Sequence, residues 1–541
     1  MFITRRQALG LVAGAAVAVT AGCASTKNSS SGGSGGSAAG LTVGTTDKVT
    51  SLDPAGSYDN GSFFVMNQVY GFLLNTAAGA TDQTPQPDLA TSASFTAPTE
   101  YTVKLKPNLK FANGNTLTST DVKFTFDRML KINDPNGPAS LLGNLGSVDA
   151  PDDTTVVFHL KQANDQTFPF VLSSPAGPIV DHQTFPADKV MADADIVAKH
   201  PFSGQYDISN YQLNQLVSYK AFDGYQGMLG KAATAGIDMK YYADASNMKL
   251  DVQQGNIDVA LRSLSATDIA SLRTDSKVKV TEGPGGEIRY IVFNFDTMPF
   301  GAKAKNPDPK KAQAVRQAMA DLLDRQAIAT QVYKDTYSPL YGYVPTGMAG
   351  AGDQFKTMYG DGSGKPDVAK AKKALSDAGV TTPLSISIQY NTDHYGPSSG
   401  DEYAMVKSQL ESSGLFKVSL QSTEWVQYSK DRVKDVYPMF QLGWFPDYSD
   451  PDNYLTPFFS KNNFLVNHYD NATVQSDITK QATTPDKTQR LQLITTIQDL
   501  VATDVSTLPL LQGKQFAVSG SGVSGLTLDA SFKVRLGTLS K

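Results

Sequence analysis

The chain has 541 residues, of which 40% are hydrophobic, 18% charged and 9% aromatic. This balance is ordinary for a globular protein and excludes a collagen-like or a fully disordered chain. A single core stops growing at about 250 to 300 residues, so a chain of this length predicts two or more lobes. The formal charge of −5 offers no basic surface for a phosphate backbone, so nucleic acid is not an expected partner.

The first 22 residues have the pattern of a cleaved export signal. Arg5 and Arg6 precede a short stretch of small apolar residues, which is too short to span a bilayer as a helix. The arginine pair resembles a twin-arginine signal, although Ala8 stands where phenylalanine or leucine is usual. Beyond residue 22 no run approaches the roughly 18 apolar residues of a membrane-spanning helix. We therefore expect export, with no part of the folded chain embedded in a membrane.

Cys23 is the only cysteine, so an exported protein of this sequence cannot be built on internal disulfides. The residues Thr20-Ala21-Gly22-Cys23 resemble a bacterial lipobox, with threonine in place of the usual leucine. This resemblance implies that Cys23 carries a diacylglycerol group and becomes the new N-terminus. Residues 23–40 would then be the lipidated cysteine and a flexible Ser/Gly linker. The alternative is an incidental cysteine in a soluble export signal.

From residue 41 onward, short β-rich runs alternate with amphipathic helices, a pattern that predicts an α/β fold. The clearest unit comprises a strand at 384–390, a helix through 403–410 and a strand at 417–421. Such a unit normally forms a right-handed parallel crossover. A third strand, 437–444, is expected in the same sheet.

Periodic apolar residues predict further helices around this sheet. One long helix is predicted over residues 309–333, and another begins with Thr484 as its cap and Pro485 as its first residue. A shorter helix over 367–378 is expected to end at Gly379, which accepts the left-handed conformation.

An earlier, separable piece of the chain is also expected. It comprises a strand at 101–111, a helix with a capping box at Thr118 and Asp121, and a strand at 156–160.

The sequence lacks the usual patterns of catalytic and metal sites. Its five histidines are scattered singly, and none has the spacing of a helical metal pair. Asp447, Asp450 and Asp452 suggest calcium or a catalytic carboxylate, but they lack the glycine and the terminal glutamate of an EF-hand loop. No second acid or positioned nucleophile is assignable opposite them. We therefore predict no metal, no cofactor and no enzymatic activity.

The position of this acidic cluster predicts a ligand site. It directly follows the predicted strand 437–444, and ligands of open parallel sheets lie beyond the carboxyl ends of the strands. An aromatic ring beside a carboxylate, as in Trp444 to Asp447, can stack on a ligand and pair with a cation. From spacing alone, a packed tryptophan and a loop-capping aspartate are equally consistent with this segment.

Several short motifs occur in an order that resembles the family 5 extracellular solute-binding proteins of ABC importers. Each motif is weak alone, and the set is specific by its number and order. The motifs are Ser51-Leu-Asp-Pro54, Asp88-Leu-Ala90, residues 101–126, residues 151–158, Gly255-Asn-Ile-Asp-Val259, Val315-Arg-Gln-Ala318 with Leu323-Asp-Arg325, and Gly443-Trp-Phe-Pro-Asp-Tyr448 with Asp450-Pro451.

The resemblance implies a periplasmic-binding-protein-like type II fold, with two lobes, an additional third domain and a ligand cleft between the lobes. The first lobe would combine residues 41–72, 201–293 and 505–541. The extra domain would be 73–200, and the second lobe 294–504. Closure of the lobes on the ligand would precede docking on a membrane permease.

The resemblance also implies the site residues. In peptide-binding members the acid that matches Asp447 holds the α-ammonium group of the ligand. The adjacent residues Gly443, Trp444 and Phe445 would supply backbone hydrogen bonds and an apolar wall. The loop after the Leu-Asp-Pro motif implies further contacts from Tyr58, Asp59 and Asn60. One departure is Gln441, which stands where some oligopeptide binders carry an arginine for the ligand carboxylate.

The function implied is that of a substrate-binding lipoprotein that captures di- or oligopeptides and delivers them to an ABC permease with its ATPase subunits. The protein would be a monomer, held on the outer face of the cell membrane by Cys23 alone. Receptors for oligosaccharides or nickel complexes share the fold and remain alternatives. With only two tryptophans in the chain, sugar platforms are less favoured. A secreted hydrolase is the alternative from another class.

Overall fold

The computed structural model describes residues 40–541, apart from residues 81, 263, 397 and 462. The predicted export signal with Arg5 and Arg6, the lipidation site Cys23 and nearly all of the linker lie outside the described residues. Within the described part, no helix combines the length and the apolar character needed to cross a membrane.

Strands and helices alternate along the described chain. The strands are β1 (Leu41–Thr45), β2 (Leu74–Asn75), β3 (Gln86–Pro87), β4 (Ala90–Ala97), β5 (Glu100–Leu105), β6 (Leu145–Asp152), β7 (Thr155–Leu160), β8 (Tyr206–Gln212), β9 (Leu216–Ala221), β10 (Gly236–Tyr241), β11 (Val259–Leu261), β12 (Val278–Phe293), β13 (Tyr337–Pro339), β14 (Leu384–Asn391), β15 (Phe416–Thr423), β16 (Met439–Trp444) and β17 (Thr507–Gly520). The helices are α1 (Asn60–Val69), α2 (Ser119–Ile132), α3 (Phe168–Val171), α4 (Asp193–Lys199), α5 (Ala245–Gln254), α6 (Ala266–Leu272), α7 (Pro309–Leu322), α8 (Arg325–Gln331), α9 (Gln354–Met358), α10 (Val368–Asp377), α11 (Ser399–Ser412), α12 (Trp425–Asp431), α13 (Thr456–Phe459), α14 (Ala472–Ala482) and α15 (Lys487–Asp504).

Most strands belong to one mixed sheet in the order β15-β14-β16-β12-β17-β11-β1-β10-β9-β8, with β13 also paired to β17. The long strands β12 and β17 connect its two halves. Residues 288–293 of β12 pair with β16, while residues 517–519 of β17 pair with β11. A smaller antiparallel sheet, β4-β5-β7-β6, lies in the first half of the chain.

The hydrophobic core is divided into separate clusters. The largest is built from residues between Ile288 and Ala530 and surrounds β12, β14 and β16. A second lies mostly within residues 73–179 and packs α2 on the smaller sheet. A third surrounds β1, β8, β9 and β10. A fourth, smaller cluster includes Met248, Ala260 of β11 and Val518 of β17. The predicted domain bounds stay predictions.

The predicted strand-helix-strand unit is confirmed. Strands β14 and β15 are parallel, with Leu384 opposite Phe416, and α11 connects them. Strand β16 lies on the other side of β14, also in parallel. The capping box of α2 at Thr118 and Asp121 and the left-handed Gly379 after α10 are confirmed as well.

Three predicted boundaries are wrong. The helix expected over 309–333 is two helices, because Leu323 is extended and Asp324 caps α8 by accepting a hydrogen bond from the amide of Ala327. Helix α15 begins after Asp486, whose side chain accepts from the amide of Gln489, rather than at Thr484 and Pro485. The strand expected over 101–111 ends at Leu105, and the left-handed Asn108 follows shortly after it.

Candidate functional site

The loop after β16 carries the acidic residue that the sequence singled out. Strand β16 ends at Trp444, and Asp447 follows three residues later. Asn453 holds this loop in place. Its Oδ1 accepts from Trp444 Nε1 and from the Asp447 amide, each at 2.9 Å, and its Nδ2 donates to Asp447 Oδ2 at 3.1 Å. Nothing in the sequence marks Asn453, because its role depends on the path of the loop.

The start of α1 lies opposite this loop. Asp59 caps the helix, since its Oδ1 accepts from the amide of Ser62 at 2.8 Å. The preceding Tyr58 donates its hydroxyl hydrogen bond to Asp447 Oδ1. The cap therefore places Tyr58 against an acid that is 389 residues away in the chain.

These two segments line a cavity of about 370 Å³. It is of the size usual for small-ligand sites. The predicted site residues Tyr58, Asp59, Asn60, Phe445 and Asp447 all line it. The remaining lining includes Thr76, Phe170 and Ser173 from the predicted extra domain and residues 531–534 near the C-terminus. All three predicted domains therefore contribute to the walls.

A second cavity of about 410 Å³ adjoins the first. The two share the lining residues Arg262, Phe445, Gln515, Phe532 and Val534. The second cavity adds Glu287, Tyr337 and Tyr395. Together the two adjoining cavities are called the cleft here, with Asp447 lining one chamber and Glu287 the other. Nothing in their local sequence marks Arg262 or Phe532 as residues of the cleft.

Two predicted site residues, Gly443 and Trp444, contact other parts of the protein. Trp444 packs edge-on against Phe458 and Phe464, with ring centroids 5.2 and 5.4 Å apart. The carbonyl of Gly443 accepts from the hydroxyls of Tyr290 and Tyr395, at 3.3 and 3.5 Å. Neither residue is part of the described cavity lining. Their ligand contacts stay a prediction.

Burial shifts the pKa of two charged side chains that line the first cavity, Asp447 and Lys533. It raises the pKa of Asp447, and the hydrogen bonds from Tyr58 and Asn453 offset part of that rise. Lys533, which also lines the first cavity, is buried beside Arg535, and both effects lower its pKa well below the usual range. An ammonium group placed next to Asp447 would favour the charged carboxylate and reverse the effect of desolvation.

Gln441 does not reach the cavity. It is fully buried in β16, where its Oε1 accepts from the amide of Asn391 at 2.9 Å and its Nε2 donates to Ser399 Oγ at 3.2 Å. Its amide is thus occupied by internal partners on both sides.

Two clusters elsewhere combine carboxylates with a histidine. One comprises Asp121, Asp181 and His182, and the other Asp296, Asp435 and His468. Internal hydrogen bonds engage the first, where His182 Nδ1 lies 2.7 Å from Asp121. In the second, the ammonium of Lys303 lies 2.7 Å from Asp296 and 3.6 Å from Asp435. We assign no metal to either cluster.

The chain belongs to the bacterial extracellular solute-binding proteins, family 5, whose model matches residues 84–465. It is 26% identical over 514 residues to the "Probable D,D-dipeptide-binding periplasmic protein DdpA" of Escherichia coli K12, covering 93% of this chain and 94% of that protein. It is 24% identical over 485 residues to "Heme-binding protein A" of Haemophilus influenzae, covering 85% and 84% of the two chains.

A solved structure shows the same fold. The dipeptide-binding protein from Pseudoalteromonas sp. SM9913, in complex with Met-Leu, superposes with a TM-score of 0.70 at 20% identity. The match covers 93% of this chain and 100% of that one. The predicted fold class, α/β with the two-lobed architecture of periplasmic binding proteins, is therefore confirmed.

Proposed function

We propose that this protein is the substrate-binding lipoprotein of an ABC import system and captures di- or oligopeptides in the cleft between its lobes. The observation that carries the proposal is the partly buried Asp447 carboxylate, which lines a cavity walled by all three predicted domains. Similar proteins support it, since one is named a "Probable D,D-dipeptide-binding periplasmic protein" and one solved structure of the same fold holds Met-Leu.

In this proposal Asp447 binds the α-ammonium group of the peptide. Tyr58 and Asn453 hold its two carboxylate oxygens in place, so little orientation is lost when the ligand arrives. Phe445 lines the same cavity and provides an apolar surface for the first residue of the peptide. Backbone groups around Gly443 and Trp444 would pair with an extended main chain, which gives affinity without reading side chains.

The test compares peptides that differ only at the amino end. A free amine should bind more tightly than its N-acetyl form by roughly 2 to 4 kcal/mol, because acetylation leaves the carboxylate unpaired in the closed cleft. Asp447→Asn should weaken binding of free peptides by about 30- to 1000-fold and abolish this preference. Titration calorimetry measures both effects.

Asp153→Asn is the matched control, because it makes the same change on an exposed turn between β6 and β7. It should bind both peptide forms like the unaltered protein. Equal binding of free and acetylated peptides by the unaltered protein would show that Asp447 does not hold the ammonium group.

The alternatives within the family are receptors for oligosaccharides or nickel complexes. Native mass spectrometry of protein purified from its own host without refolding identifies the bound solute directly. The proposed role also includes no catalysis. Incubation with a mixed peptide pool should leave every peptide unchanged in mass, and the appearance of cleavage products would favour the hydrolase.

We also propose where the protein is held in the cell. Lipidated Cys23 would hold the monomeric protein on the outer face of the cell membrane, beside the permease and its ATPase subunits. The linker through residue 40 would keep the folded region clear of the lipid surface.

A further inference from the structure

The second cavity of the cleft is lined by aromatic rings from distant parts of the chain. The predicted second lobe contributes Tyr333, Tyr337, Tyr395 and Phe445. The predicted first lobe contributes Phe516 and Phe532, together with smaller apolar side chains such as Leu528. A ligand group in this cavity therefore has rings of both predicted lobes around it.

The three tyrosines direct their hydroxyl groups to acceptors within the protein. These acceptors are Glu402 Oε2 for Tyr333 at 2.6 Å, Glu287 Oε1 for Tyr337 at 2.9 Å and the carbonyl of Gly443 for Tyr395 at 3.5 Å. Since each hydroxyl already has a partner, the rings offer the cavity mainly carbon surface. The tyrosines thus act on this side as apolar residues.

Arg289 fixes two of these rings in place. Its guanidinium carbon lies 5.5 Å from the ring centroid of Tyr337 and 4.6 Å from that of Tyr395. Its Nη2 donates to the Tyr337 hydroxyl and to the Tyr395 carbonyl, each at 2.9 Å. The arginine is only 3% exposed, so these contacts are shielded from water. The aromatic wall is therefore ordered before a ligand arrives, which lowers the entropic cost of binding.

The charged side chains that line this cavity each lie near an opposite charge of the protein. The pairs are Glu287 with Arg289 at 2.6 Å, Arg262 with Asp47 at 3.0 Å and Lys514 with Glu282 at 3.6 Å. A charged ligand side chain would lose its hydration and compete with these partners. An apolar side chain gains by leaving water and has no such competition.

We propose that the second cavity binds an aromatic side chain of the captured peptide, so that the protein selects peptides with an aromatic residue beyond their first position. This inference rests on the proposed function. With the α-ammonium group on Asp447 in the first cavity, later residues of the peptide extend into the second, because the two cavities adjoin at Phe445 and Phe532. Ring-to-ring contacts then add to the gain from burying apolar area.

The experiment uses tetra-alanine as a host peptide, with one phenylalanine, leucine, lysine or aspartate placed at each of its positions in turn. Titration calorimetry with the full-length protein measures each affinity. At one position beyond the first, phenylalanine should bind about 10- to 100-fold more tightly than alanine. Leucine should lie between the two, and lysine and aspartate should bind no more tightly than alanine.

Two substitutions of Tyr337 test the aromatic wall. Tyr337→Ala removes the ring and should reduce the preference for phenylalanine at that position by about 10-fold. Tyr337→Phe keeps the ring and should restore the preference. Phe516→Ala removes a ring from the other side of the cavity and should reduce the same preference independently.

Tyr211→Ala is the matched control. Tyr211 is also partly buried and donates its hydroxyl to a carboxylate, that of Asp193 at 2.7 Å, but it lines neither cavity. This variant should keep the full preference for phenylalanine. Thermal unfolding of every variant separates loss of binding from loss of folding.

Three results would overturn the inference while the proposed function stands. One is equal binding of phenylalanine and alanine at every position beyond the first. Another is tighter binding of lysine or aspartate than of phenylalanine at the selective position. The third is an undiminished preference in folded Tyr337→Ala and Phe516→Ala. A protein that binds none of the peptides would instead refute the proposed function itself.

Discussion

Three aspartates in the loop after β16 have three different environments. Asp447 lines the cavity, whereas Asp450 forms a bidentate ion pair with Arg490 at 2.6 and 2.8 Å. Asp452 is buried and accepts from Thr456 Oγ1 at 2.5 Å and from Gln481. Their spacing in the sequence suggested a shared site, but Asp447 alone of the three lines the described cavities.

Asp452 should carry a pH-dependent cost to stability. Burial, and then the negative charge of Asp450, raise its pKa from 3.8 to about 6. Below about pH 3 the carboxyl is protonated in both the folded and the unfolded chain, so it costs nothing. As the pH rises from about 3 to 6, the unfolded chain ionises first and the free energy of unfolding falls. At pH 8 Asp452→Asn should therefore raise the free energy of unfolding by up to about 3 kcal/mol, with no gain at pH 3.

Urea denaturation at the two pH values measures this difference. Asp499→Asn, the same change on the exposed face of α15, should stay within about 0.5 kcal/mol at both. A loss of stability in Asp452→Asn at pH 8 would mean that its ionised form is stabilising.

At the scale of elements, local caps decided the boundaries that the apolar periodicity missed. The stripe over 309–333 runs through α7 and α8, but Asp324 offers its carboxylate to the amide of Ala327 and starts a new helix. Hydrophobic periodicity reports which face is buried and is insensitive to a break that keeps the face aligned. Whether Asp324 caps a new helix or the first helix continues through it depends on the contacts of this single residue. The apolar pattern does not report those contacts.

Strands β12 and β17 approach each other closely at Gly285 of β12 and Gly513 of β17. Their register shifts between Pro284 and Ile288, and a Cβ on Gly285 would lie 2.0 Å from the carbonyl oxygen of Gly513. Gly285→Ala should therefore lower the free energy of unfolding by about 1 to 3 kcal/mol, since backbone must move.

Gly520→Ala at the end of β17 is its control, because there the nearest atom is a carbonyl oxygen 4.0 Å away. Chemical denaturation of the two variants measures how much each substitution lowers the free energy of unfolding. Similar effects would mean that the close approach at Gly285 relaxes freely.

At the scale of the whole molecule, membrane attachment is expected to depend on one residue outside the described part of the chain. Cys23→Ser should shift the protein from the detergent phase to the aqueous phase in a Triton X-114 partition of host cells, because the acyl chains provide its whole affinity for lipid. Ser25→Ala leaves the cysteine in place and should partition like the unaltered protein. Equal partition of the unaltered protein and Cys23→Ser would refute lipidation.

The sequence by itself determined the fold class, the family and the segment that holds Asp447. These depend on patterns that are local or ordered along the chain: alternating strands and helices, the unit from β14 to β15, and motifs in a fixed order. The resemblance also implied Tyr58, Asp59 and Asn60 as ligand contacts; all three line the first cavity, and their contacts with a ligand stay a prediction.

Only the tertiary structure decided how the cleft is walled. Tyr58 donates to Asp447 across 389 residues, and Arg262 and Phe532 meet at the junction of two chambers although 270 residues separate them. Such contacts are made by the packing of distant elements and have no local pattern. The same packing sets the Trp444 ring against Phe458 and Phe464, so this side chain is absent from the described cavity lining.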